Sequence, residues 1–419
     1  MARTRGSAMQ LCLLFCLVLL SLQAAALPRR RHHAWRTKKR VRELPVASAE
    51  APGNQNFTFD LYRALAADSP DQNIFFSPLS ISESLALIYL AAASDTKTQI
   101  SEALGLPAQG GREEEEAFHR GSHQLLQELR QPRADLQLGL GTALFILPTV
   151  HVRDAFLSAA RTLYLADTFP TNFRDPKAAQ KQINDYVAKQ TNGKIVDLVK
   201  DLDSSEIMVM VNYIFFKAKW ETSFDHKSTL KQDFHVTSET VVQVPMMRRE
   251  DECYYLLDRN LYCRVVGVPY QGNATALFIL PGQGKMEQVE AGLSQETLRR
   301  WLKKLTKRKL QLYLPKFSME GSYQLEKVLP KLGIRDLFTS QADLTGFTNH
   351  SNIQVSEMVH RAAVEVDESG TKAAAATVTV FTFRSARIGA QVVAFNRPFL
   401  MMIVENNKNL LFLGRVMRP

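Results

Sequence analysis

The sequence predicts a single α+β domain, and three observations carry that reading. Helix-period and strand-period patterns mix irregularly along the chain, with no fixed repeat and no long low-complexity linker. Residues 207–216 and 275–280 are near-continuous apolar runs, as expected of central strands buried on both faces. The chain closes on two further apolar runs, 399–404 and 410–413, which flank Asn406-Asn407-Lys408-Asn409 and read as a hairpin.

At the N-terminus, Arg3 and Arg5 precede an apolar run over residues 11–22 and the small residues Ala24, Ala25 and Ala26. This is the pattern of a secretory signal peptide, residues 1–26. The run of about 12 residues is too short to cross a bilayer, and no later stretch has 18 uncharged apolar residues, so no transmembrane segment is expected. Residues 27–54 form a basic tail. The chain has 52 Lys+Arg against 42 Asp+Glu, but ten of the basic residues lie in the first 42 positions, where no acidic residue occurs. The remaining 377 residues are formally neutral.

The domain itself is placed at residues 55–419. With 45% apolar and 22% charged residues, the composition excludes disordered and fibrous classes. Residues 78–93 read as a buried helix with Ser77 as N-cap and Pro78 in its first turn. A second helix covers 178–190 and stops at Asn192-Gly193. Residues 311–314 alternate like a strand, and core strands at the C-terminus mean that truncation there should unfold the protein. Of the cysteines that remain after the signal, Cys253 and Cys263 flank residues 256–260. A hairpin turning near Asp258 would set them opposite each other, where a disulfide is sterically allowed; two half-buried free thiols are the alternative. Sequons at Asn56, Asn273 and Asn349 accord with a secreted, extracellular glycoprotein and argue against a nucleic-acid partner.

The informative stretch is residues 364–395. Glu368-Ser369-Gly370 leads into Thr371-Lys372-Ala373-Ala374-Ala375-Ala376-Thr377, then an alternating β-branched and aromatic segment, then Phe383-Arg384-Ser385-Ala386-Arg387. Small residues suit a segment that slides between existing strands, whereas the basic end looks exposed to trypsin-like proteases. This segment resembles the hinge and reactive loop of the serpins. Residues 73–81 (NIFFSPLSI), 211–220 (VNYIFFKAKW) and 395–400 (FNRPFL) are similar to signatures of that family in the same order.

The resemblance implies a serpin fold: one domain with a central mixed sheet, further sheets, surrounding helices and an exposed reactive loop at about 370–390. It places the reactive bond at Arg384-Ser385, fourteen residues after the hinge glycine Gly370. It implies that a trypsin-like serine protease attacks this bond and is trapped when the cut loop, with Thr371, Ala373, Ala374, Ala375 and Ala376 leading, inserts as a strand. By the same resemblance Ser77, Ser80, Asn212 and His360 form the polar cluster that controls sheet opening, and Lys316 pairs with Glu368 where insertion begins. Similarity to a heparin-binding member of the family suggests activated protein C, thrombin, kallikrein, plasminogen activators and acrosin as targets, with a role in coagulation and fibrinolysis.

Residues 294–310 read as an amphipathic helix, with Leu298, Trp301, Leu302 and Leu305 on one face. Arg299, Arg300, Lys303, Lys304, Lys307, Arg308 and Lys309 make seven basic residues in eleven with no acidic one. Because like charges at i, i+4 repel, this segregation points to a polyanion, and the secreted compartment makes heparin or a related glycosaminoglycan the candidate, as an accelerating cofactor. No other cofactor is expected. The sequence has no G-x-S-x-G, H-E-x-x-H or Gly-rich phosphate loop, and His119 and His123 lack a third metal ligand, so neither an enzyme nor a metal site is expected. The rival reading is a non-inhibitory serpin that carries a hormone, retinoid or lipid. A monomer is expected.

Overall fold

The computed structural model describes residues 56–106, 111–131, 133, 136–350, 353–370 and 390–419. The expected signal peptide and basic tail lie outside the described residues, as do Thr371, Ala373, Ala374, Ala375, Ala376, Arg384 and Ser385.

Two sheets organise the domain. The smaller runs in the order β10 (Phe317–Gln324), β11 (Glu357–Val366), β4 (Met208–Ala218), β2 (Leu136–Ile146) and β3 (Asp167–Pro170). It is mixed: β10 with β11 and β4 with β2 are antiparallel, whereas β11 with β4 and β2 with β3 are parallel. The larger sheet has the order β1 (Ile74–Phe76), β14 (Asn409–Val416), β13 (Phe399–Glu405), β8 (Ala274–Pro281), β7 (Cys263–Pro269), β6 (Val241–Asp258), β9 (Thr306–Pro315) and β12 (Gln391–Ala394), with β5 (Leu230–His235) paired to β6. Helices α1 (Phe57–Asp68), α2 (Pro78–Tyr89), α3 (Ser94–Leu104), α4 (Arg112–Arg130), α5 (Asp154–Leu163), α6 (Pro176–Gln190), α7 (Met286–Ala291), α8 (Gln295–Lys304) and α9 (Leu325–Val328) accompany them.

Strand β4 shows why the continuous apolar run is needed. Val209, Val211 and Tyr213 belong to a cluster with Ala179, Ile183 and Val187 of α6, while Met208, Met210, Ile214 and Phe216 join the main core. Successive residues of a strand face opposite ways, so both faces are dry and both must be apolar. Asn212 falls on the main-core side, towards α2. That helix starts as expected, with Ser77 Oγ accepting the Ser80 amide at 3.2 Å, but ends at Tyr89, short of 93. Helix α6 begins two residues before the expected 178, because Asp175 caps it and Pro176 opens it. The C-terminal hairpin is β13 and β14, almost wholly buried.

Two expectations are corrected. The helix expected over 294–310 ends at Lys304, and residues from Thr306 form β9, antiparallel to β6 from Tyr255↔Thr306 to Met246↔Pro315. Leu310, Leu312 and Leu314 alternate into the core, and the long ladder to β6 outweighs the helical spacing of the basic residues. Lys307, Arg308 and Lys309 therefore lie on a strand. The second correction concerns the cysteines. The β6–β7 hairpin pairs Asp258 with Cys263, while Cys253 faces Arg308 on β9. Asp258 Oδ1 accepts the amides of Asn260 (2.9 Å) and Leu261 (3.2 Å), and Tyr262 takes φ 53°, which moves the turn past 258. Both thiols are free and buried.

Candidate functional site

The site is the seam between β4 and β11. Their ladder runs from Glu357↔Val209 to Val364↔Phe216 and stops two residues before either strand ends. At that open end the chain leaves β11 through a turn, Asp367–Gly370, that is latched to the continuation of β4. The Trp220 amide donates to Ser369 O (3.0 Å) and the Phe224 amide to Glu368 O (2.8 Å), while Trp220 Nε1 donates to Asp367 O (2.9 Å). Trp220 is itself fully buried and stacked on Tyr270 at 4.2 Å.

Gly370 closes the turn with φ +125°. A Cβ there would lie 2.3 Å from Ala218 O and 2.5 Å from Lys219 Cα, so only glycine fits both the backbone and the approach. Glu368 is 3% exposed and its carboxylate takes Lys316 Nζ and Thr229 Oγ1, each at 2.9 Å, with His226 Nδ1 at 3.4 Å. Burial alone would raise this carboxyl, but the bonds from Lys316, its own backbone and Thr229 hold it below the usual range. The same bond to Glu368 raises the Lys316 ammonium. The structure thus brings the expected Lys316–Glu368 pair together and adds Thr229 and His226.

Lower down, the seam is pinned by a buried polar cluster. His360 of β11 and Thr142 of β2 are register partners of Asn212 on either side of β4. The Ser77 amide donates to His360 Nε2 (3.1 Å), which fixes the proton on Nδ1, and Nδ1 donates to Asn212 Oδ1 (2.5 Å). Ser80 Oγ donates to the same oxygen at 2.9 Å, and Asn212 Nδ2 donates to Ser80 O and Thr142 Oγ1, each at 3.2 Å. Complete burial pulls the His360 imidazole down to about 3, so it is neutral. Ser77, Ser80, Asn212 and His360 are brought together as expected. Thr142, and Ser84 bonded to it at 2.8 Å, were not legible in sequence, since register alone brings them there.

The basic residues divide. Arg299, Arg300, Lys303 and Lys304 lie on α8, whose start is capped by Ser294 Oγ accepting the Thr297 amide. Arg300 donates to Asp258 Oδ2 (2.9 Å), which also receives Trp301 Nε1 (2.7 Å), binding the helix to the β6–β7 hairpin. On β9, Lys309 pairs with Glu250 at 2.8 Å and Lys307 lies over the Tyr254 ring. Lys303, Lys304 and Arg308 are exposed and form no ion pair among the described residues. The sequon residues Asn56, Asn273 and Asn349 are all exposed. Among the described residues no group of His, Cys, Asp or Glu is arranged to hold a metal ion, and no helix is long and apolar enough to cross a membrane.

A turn latched at the open end of a parallel seam, over a mixed sheet, accords with the serpin fold. The chain belongs to that family: the model described as Serpin (serine protease inhibitor) matches residues 52–419. The plasma serine protease inhibitor of Homo sapiens is 68% identical over 98% of this chain and 100% of its own length, and that of Bos taurus is 65% identical over the same shares. Among solved structures, human thyroxine-binding globulin superimposes with a TM-score of 0.82 at 38% identity, covering 87% of this chain and 97% of that one. These relatives support serine protease inhibition, and membership of this family makes the chain no enzyme.

Proposed function

We propose that this chain is a secreted, heparin-dependent suicide inhibitor of trypsin-like serine proteases. The observation that carries the reading is the parallel β4–β11 pair with Gly370 at its open end. A segment returning from Gly370 runs antiparallel to both strands, so inserting it replaces one parallel ladder by two antiparallel ones. The protease attacks the carbonyl of Arg384, whose guanidinium suits an acidic specificity pocket. Before the acyl-enzyme hydrolyses, the cut segment from Thr371 through Ala373, Ala374, Ala375 and Ala376 enters the seam. Fourteen residues, from Thr371 to Arg384, at about 3.3 Å each carry the tethered protease about 46 Å.

Activated protein C, thrombin, kallikrein, plasminogen activators and acrosin are the targets to test, within coagulation and fibrinolysis. Heparin bridges inhibitor and target through Lys303, Lys304 and Arg308, with Arg299 and Lys307 beside them. Carbohydrate is carried on Asn56, Asn273 and Asn349. A carrier reading has one observation in its favour, the likeness to thyroxine-binding globulin; the run of alanines after Gly370 favours insertion over carriage, and a retinoid or lipid ligand is compatible with both. The test is incubation with a trypsin-like protease, with and without heparin, followed by denaturing electrophoresis. A covalent complex that forms faster with heparin supports the proposal. Cleavage without a complex would leave the carrier reading.

A further inference from the structure

The three partners of the Glu368 carboxylate do not lie on one side of the seam. Lys316 joins β9 to β10, with its amide bonded to Pro245 O (2.8 Å) and Phe317 the register partner of Val366 in β11, so it reaches Glu368 from the β10 side. His226 and Thr229 belong to the segment that continues β4, the same segment that reaches the hinge through Trp220 and Phe224. The Lys316 bond does not involve β4, whereas the contacts from His226 and Thr229 tie the hinge to the segment that follows β4 and resist separation of β4 from β11. Of those two, only an imidazole changes charge between about pH 5 and pH 8. The His226 side chain is 68% exposed and open to bulk protons, while the carboxylate it faces is 4% exposed.

We propose that His226 is a positioning residue that acts through Glu368, clamping the hinge across the β4–β11 seam more tightly when its ring is protonated. The inference rests on the insertion mechanism above. The other charges around the pair are set by the neighbouring elements: Lys316 attracts Glu368, Asp367 and Glu365, the last two beside Glu368 on its own turn and strand, and Asp225 caps the short turn of His226 through the Lys227 amide at 3.0 Å. Protonation of the ring adds a second cation to a carboxylate that has to be released before the seam opens. Insertion is therefore slower in acid.

The probe is a synthetic peptide with the sequence of residues 371–383, annealed to the intact protein and followed by tryptophan fluorescence. For an ion pair with one exposed partner, the wild type should anneal about two- to fivefold more slowly near pH 5.5 than near pH 8. His226→Gln should lose this difference, and His226→Lys, which keeps a cation, should anneal slowly at both. Superimposable profiles for wild type and His226→Gln overturn the clamp, as does a failure of the peptide to anneal at either pH. Protease-complex formation in the same preparations separates the two claims. Complexes with superimposable profiles sink the clamp alone; a His226-dependent profile without complexes sinks the inhibitory reading alone.

Discussion

His360 Nδ1 and Asn212 Oδ1 meet at 2.5 Å across the only ladder that has to part for a strand to enter between β4 and β11. Because Nε2 is already occupied by the Ser77 amide, the ring serves as a neutral bridge between α2 and both strands. Its removal leaves the buried Ser77 amide without its partner and takes one of two donors from Asn212 Oδ1.

That geometry gives a pH dependence. The folded state holds His360 neutral, its pKa lowered to about 3 by burial, whereas the unfolded chain protonates a histidine near 6.5. The unfolded state thus binds more protons. This contribution to stability is complete above about pH 6.5 and is lost as pH falls towards about 3, by at most about 1.4 kcal/mol per pH unit. Urea unfolding of wild type and His360→Asn should show a gap of about 2 kcal/mol at neutral pH, shrinking in acid. A gap that stays constant would contradict the assignment.

Gly370→Ala puts a methyl group against Ala218 O at a φ of +125°. The turn cannot stay latched, and the native form should lose about 1–3 kcal/mol. Thermal unfolding checks this, an unchanged midpoint being the contrary result.

The division of the basic face predicts unequal heparin effects. Lys303→Ala and Lys304→Ala should each lower the slope of log affinity against log salt by about one. Arg300→Ala should lower it less, because its charge is already matched by Asp258. Elution from immobilised heparin across a salt series measures all three.

Cys253 and Cys263 are buried, and burial raises the Cys263 thiol to about 12. A thiol reagent near neutral pH should label neither in the native protein and both after denaturation. Fewer than two labelled thiols in the denatured, unreduced chain would indicate the disulfide that the register rules out.

What the sequence disclosed and what it hid follow from range. The cap at Ser77 and the buried run of β4 depend on neighbours in the chain, and both were legible. Lys316 with Glu368, and Ser77 and Ser80 with Asn212 and His360, were reached through family resemblance, which supplies long-range register. The end of α8 was misplaced because the basic residues keep a helical spacing through 307, while the signal for β9 begins only at Leu310. The cysteine register was missed because the Asp258 side chain sets the turn. Thr142, Thr229 and His226 carry no local mark, being placed by strands and turns far away in sequence.

Entry of the cut segment into the seam behind Gly370 is tested most directly by Thr371→Arg, which places a bulky charge at the first residue to enter. The measurement is denaturing electrophoresis with mass analysis after incubation with a trypsin-like protease. The variant should be cut at the same bond, releasing a fragment that begins at Ser385, but form little or no covalent complex. Complex formation at the wild-type level would contradict it.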